Sequence, residues 1–128
     1  MCFSHHASST YSSLSQISHQ RIAEARFLNQ GTTKRNLSRG DGEEMTPLQK
    51  ENPGHPVFVV TMPEFQTLPE YDVGTVPPWA PAGGWTKAAM RELTAIQIDH
   101  LAWFYNRVFE GVSVNDRRGT SSNFICGV

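Results

Sequence analysis

The sequence predicts a mainly α fold with extensive irregular structure, and three observations lead there. All eight prolines fall between Pro47 and Pro81. A long run free of Pro and Gly follows, from Thr86 to Glu110, with broad apolar periodicity. Hydrophobic residues make up 38% and charged residues 18% of the 128 residues, both below ordinary globular usage, with polar uncharged residues, Gly and Pro filling the difference. The expected architecture is one long amphipathic helix over about 86–110, a shorter N-terminal helix over about 13–30, and a Pro-rich extended arm with at most one or two short strands.

The long helix has clear boundary signals. Thr86 is suited to the N-cap, Trp85 and Met90 form a hydrophobic staple pattern, and Gly111 supplies a stop. On a helical wheel Met90, Leu93, Leu101, Phe104, Tyr105 and Val108 share the main apolar face, widened by Ile96 and Trp103 on one flank and by Ile98 and Phe109 on the other. Glu92, Asp99, Asn106 and Glu110 keep a polar strip opposite. The C-terminal stretch Asn115–Gly119 reads as a polar turn, with Phe124 and Ile125 tucked back onto the helix.

Charge divides the chain into three parts: 1–44, 45–85 and 86–128. Arg21, Arg26, Lys34, Arg35 and Arg39 stand against Glu24 alone in residues 1–39, a balance of +4. Lys50 stands against Asp41, Glu43, Glu44, Glu51, Glu64, Glu70 and Asp72 in residues 40–85, a balance of −6. The remainder is close to neutral and the whole chain carries −1, which leaves no global field for a nucleic acid backbone. In the first part Ser13 and Gln16 form a capping-box pattern, Leu14, Ile17, Ala25 and Leu28 share a face, and Gly31 offers a stop. This Arg-bearing, Ser-rich, acid-poor composition is that of a mitochondrial transit peptide, and Arg26–Gly31 resembles a presequence cleavage pattern. Mitochondrial placement is therefore expected over cytoplasmic, with secretion excluded by the lack of an apolar h-region; Met45 is an alternative start. Asn36-Leu37-Ser38 and Arg39-Gly40-Asp41 match a glycosylation sequon and an integrin tripeptide, but Gly40 reads more simply as a turn.

The middle part reads as a docking arm. Val57–Thr61 has strand character, and Thr61-Met62-Pro63-Glu64-Phe65 is repeated six residues on as Thr67-Leu68-Pro69-Glu70-Tyr71. Phe65 and Tyr71 share one side in either a strand or a polyproline helix, about 20 Å apart. Val76–Pro81 adds a short polyproline run bearing Trp79. One helix and one arm offer little to cover so broad an apolar face, and each large side chain left exposed forgoes roughly 1.5–3 kcal/mol. The expected function is thus a non-enzymatic interaction or assembly subunit, binding a protein partner or itself through Phe65, Tyr71, Trp79, Leu101, Trp103, Phe104 and Tyr105. No catalytic constellation or cofactor motif stands out.

One alternative rests on a family likeness. Ile98-Asp99-His100-Leu101-Ala102 followed by Trp103–Gly111 resembles two landmarks of the glyoxalase-like, vicinal-oxygen-chelate family, a strand bearing a metal-binding His and a later helix. The resemblance implies a truncated or degenerate metal enzyme with His100 as a ligand. It covers fourteen residues, and the stretch of about ten residues that separates strand from helix in that family is absent here.

Overall fold

The computed structural model describes residues 6–55 and 71–127, with side chains described from 19 onward. The described residues are mainly helical, with four α-helices and no strand: α1 (His6–Leu37), α2 (Lys87–Met90), α3 (Ala95–Tyr105) and α4 (Val114–Cys126). The expected strand at Val57–Thr61, and Phe65 with it, lie outside the described residues.

The single helix expected over about 86–110 is two helices. Thr86 caps α2, its hydroxyl accepting from the Ala89 N–H at 3.0 Å. The chain then breaks at Thr94, which is extended and forms a complete capping box with Gln97. A Thr that takes N–H groups onto its hydroxyl competes with the helix it interrupts, which explains the restart. The C-terminal end is likewise earlier than Gly111, because Asn106 adopts a left-handed conformation (φ 49°) and closes α3. Val108 therefore leaves the helical register and is 76% exposed, and Ile96, in the first turn of α3, is 64% exposed. Met90, Leu93, Ile98, Leu101, Trp103, Phe104, Tyr105 and Phe109 are buried together with Trp85, Met45, Leu48, Ile125 and Cys126.

Residues 115–119, expected as a turn, open α4. Ser113 and Asp116 make the capping box that starts it, and Gly127 (φ 78°) ends it. Gly127 also lies so close to α1 that a Cβ there would stand 2.6 Å from Thr33 Cβ. Two consecutive arginines bind α4 to α3 and the turn before it: Arg117 pairs with Asp99 at 2.5 Å, and Arg118 Nε donates to the Leu93 carbonyl at 2.7 Å.

The helix α1 runs through Gly31 to Leu37, and its face toward the body is not the expected one. Ala25, Asn29, Thr32 and Asn36 are buried at helical spacing, whereas Leu28 is 50% exposed. What lies against this polar stripe is an extended segment, Met45–Lys50, that runs antiparallel to α1. Asn36 donates to the Thr46 carbonyl and accepts from the Thr46 N–H, at 2.8 and 2.9 Å. Asn29 does the same at Gln49, both at 2.8 Å. The register follows from geometry: seven helical residues rise about 10.5 Å, and three extended residues span about 10 Å. Asn36 also donates to the Ile125 carbonyl at 3.1 Å, one of the carbonyls left over at the end of α4. Its amide is 1% exposed, so the sequon there does not present a glycosylation site in this fold. The Arg39-Gly40-Asp41 triplet is used internally: the Arg39 carbonyl accepts from Lys87 Nζ and Asp41 pairs with Arg91 at 2.8 Å.

Removing the Asn36 amide leaves the buried Ile125 carbonyl and the part-buried Thr46 groups without this partner, and removing that of Asn29 does so for the part-buried Gln49 groups, at about 1–3 kcal/mol for a buried group. Asn36→Ala is expected to lower unfolding free energy by about 2–4 kcal/mol in urea titrations, and an unchanged midpoint would refute the bracket. A chain of residues 45–128 alone, lacking both brackets, is expected to lose its cooperative unfolding transition.

Candidate functional site

Six of the seven sequence-predicted partner residues, all but Phe65, gather into one interior, largely aromatic cluster among the described residues. Leu101, Trp103, Phe104 and Tyr105 are buried on α3, and the half-buried Tyr71 and Trp79 pack against them from the arm. Tyr71 meets Trp103 edge-on at 5.9 Å and Phe104 at 5.2 Å between ring centroids. Trp79 meets Phe104 edge-on at 5.6 Å and stacks on His100 at 3.7 Å. The broad apolar face that sequence reasoning left uncovered is thus covered from within the chain, largely by aromatic edges and faces.

His55, which sequence reasoning passed over, completes the cluster. Its ring stacks on Trp103 at 4.1 Å, its Nδ1 lies 3.0 Å from the Trp103 carbonyl oxygen, and its Nε2 accepts the Tyr71 N–H at 3.2 Å. A carbonyl only accepts, so the ring proton sits on Nδ1. His55 and Tyr71, sixteen positions apart in sequence, thus lie side by side. Asp99 and His100 do not form an acid–base pair: Asp99 turns to Arg117, and burial holds the His100 imidazole below its usual range. Residues Ile98–Ala102, which the glyoxalase-like resemblance places in a strand, are the middle of α3. Among the described residues no group of three or more His, Cys, Asp or Glu gathers as a metal would need. No helix of the described residues is long and apolar enough to cross a membrane.

Lys50 is the one charge placed wholly in the interior among the buried polar side chains described. Its Nζ donates to the carbonyls of Gly54 (2.7 Å) and Phe104 (2.5 Å) and lies 5.7 Å from the centre of the Phe104 ring. Its position at the carbonyl end of α3 suits a cation, while burial pushes its pKa down to about 8. Nothing in the sequence marks Lys50 as different from other lysines, since its environment comes entirely from tertiary packing.

The exposed part of α1 has the opposite character. Phe27 is 73% exposed on the side of α1 away from Asn29 and Asn36, and Leu28, 50% exposed, flanks the buried stripe beside Thr32. An open cleft of about 610 Å³ lies on one side of this pair, with Arg21, Gln49 and Asp72 in its walls. A second, of about 340 Å³, lies on the other, walled by Gly31, Lys34 and Arg35. The pair thus stands between two recesses, with Arg21 beside Glu24 and Asp72 at one end and Lys34 and Arg35 at the other. Sequence reasoning grouped Leu28 with Ala25 on one apolar face and passed over the Asn29, Thr32 and Asn36 stripe at i, i+3, i+7, which is buried.

Comparison of the chain with protein-family models, curated proteins and solved structures finds no match.

The depressed pKa of Lys50 has a definite consequence for stability. Its unfolded value is 10.5, so between about pH 8 and 10.5 the unfolded chain binds more protons and stability rises with pH. Burial raises the Tyr105 phenol far above 10, so its contribution is present at lower pH and is lost above about pH 10. Urea midpoints are expected to increase from pH 7.5 to 9.5 in the intact chain and to stay flat in Lys50→Met; a falling midpoint would contradict the buried ammonium.

Proposed function

We propose that the chain is a non-enzymatic interaction or assembly subunit, docking on a larger partner through the outward face of α1. The Pro-rich arm with Phe65 is its second docking element. The observation that carries this reading is the exposed pair Phe27 and Leu28, set between two recesses on a helix fastened to the body through Ala25, Asn29, Thr32 and Asn36. Covering what is still exposed of the pair, 73% of Phe27 and 50% of Leu28, would contribute roughly 2–4 kcal/mol at 1.5–3 kcal/mol per fully exposed side chain. That is a useful share of a binding energy, since micromolar affinity corresponds to about 8 kcal/mol.

The residues expected at the partner interface then divide by role. Tyr71 and Trp79 fix the ends of the arm, and Leu101, Trp103, Phe104 and Tyr105 form the scaffold that fixes them. Phe65 stays a contact residue in this proposal. A polar stripe buried with its hydrogen bonds satisfied makes α1 a rigid element, which lowers the entropy lost on docking.

The test is affinity capture from cell extract with the immobilised chain, compared with a Phe27→Ala/Leu28→Ala double variant. Captured proteins are expected to fall away with the variant while its circular dichroism stays unchanged. Identical capture by the two chains would remove α1 from the docking surface.

A further inference from the structure

A seam runs along α1 on the far side from its buried stripe. Glu24, Phe27, Gly31, Lys34 and Ser38 recur at three- and four-residue spacing, the repeat that lets one helix lie along another. All but Gly31 are exposed. Gly31 is the centre of the seam and lies in the recess of about 340 Å³, with Phe27 and Leu28 one turn before it and Lys34 and Arg35 one turn after. Gly inside a helix is unfavourable beside Ala. Nothing described in this chain calls for it here, because a Cβ at Gly31 would meet only Arg35 Nη1, at 3.3 Å, the far end of a flexible side chain. Gly127 is different: a Cβ there would stand 2.6 Å from Thr33 Cβ. A missing Cβ on an outward seam serves a surface that approaches from outside.

We infer that this surface is α1 of a second copy, packed antiparallel about a two-fold axis at Gly31. This rests on the interaction reading above and names its partner. The seam is its own complement in that arrangement. Residues equally far before and after Gly31 come to the same level, and each flank of the seam meets the same flank of its mate. Phe27 then meets Lys34 of the second copy, whose stem covers the ring and whose ammonium lies at its face. Leu28, on the flank nearer the buried stripe, meets the stem of the second copy's Arg35. Glu24 comes within one helical turn of that same Arg35. Glu24 also borders the larger recess, with Arg21 and Asp72, and makes no ion pair with the described residues of its own chain. A parallel pair would set Lys34 against Lys34 and Arg35 against Arg35, which like charge opposes.

Sedimentation equilibrium of the full chain from about 10 to about 500 μM tests this, because a single helix-on-helix contact is at the small end of specific interfaces. The intact chain is expected to pass from monomer to dimer over that range, and to need higher concentration as salt is raised from about 50 to about 500 mM. Gly31→Leu fills the close approach and favours the helix, so it is expected to stay monomeric while its urea midpoint rises. Glu24→Arg and Arg35→Glu are each expected to weaken the dimer about tenfold, since each pair occurs twice across the axis. The two changes in one chain are expected to restore it. A monomer throughout, a dimer kept by Gly31→Leu, or no recovery in the double variant would each overturn the inference. If the intact chain is monomeric but Phe27→Ala/Leu28→Ala still loses captured proteins, only the second copy is refuted; if capture is also unchanged, the interaction reading falls with it.

Discussion

A segment laid between helices, with Met45, Leu48 and Lys50 buried, has to satisfy its N–H and C=O groups without a sheet, and this chain does so residue by residue. Met45 N–H reaches the Trp85 carbonyl. Thr46 and Gln49 are bracketed by Asn36 and Asn29. The Leu48 carbonyl takes the Tyr105 hydroxyl at 2.7 Å, and Lys50 exchanges two backbone bonds with Gly74 and Thr75. Pro47 has no N–H to place. The segment touches α1, α3 and the arm at once, so the packing of each depends on it.

From this arrangement the division of labour between the faces follows. Because α1 is attached through amides rather than through a wide apolar stripe, its apolar side chains are free to point outward. Because α3 meets Leu48, His55, Tyr71 and Trp79 on its apolar side, its aromatic residues are spent on the interior. The Lys50 ammonium closes the carbonyl end of α3 where Asn106 has already turned the chain away. The helix whose periodicity suggests a docking surface thus has Leu101, Trp103, Phe104 and Tyr105 buried, while α1 presents Phe27 to solvent.

Much of the described helical content was legible: the Pro-free run after Trp85 and the Thr86 cap both carry local signals. The break at Thr94 was not, since Leu93, Ile96 and Ile98 continue the apolar spacing across it. The Thr94–Gln97 box was there to be read, but an N-cap inside an apolar run carries less weight than the run itself. The same holds for Ser113 and Asp116, whose box opens a helix too polar to show periodicity. The inner face of α1 escaped for a different reason. Asn29, Thr32 and Asn36 are buried by hydrogen bonding, and any search for apolar spacing assigns them to solvent. Lys50 and His55 likewise acquire their roles only when residues roughly fifty positions away close over them.

The most direct test of this account is amide hydrogen exchange at Thr46 and Gln49, followed by NMR in the intact chain and in Asn36→Ala. Both amides are expected to exchange as slowly as those in the middle of α3, and Thr46 is expected to lose that protection in the variant while α3 keeps its own. Exchange at Thr46 and Gln49 as fast as in an open loop, with α3 protected, would mean that the asparagine brackets do not hold the segment and that the fold rests on something else.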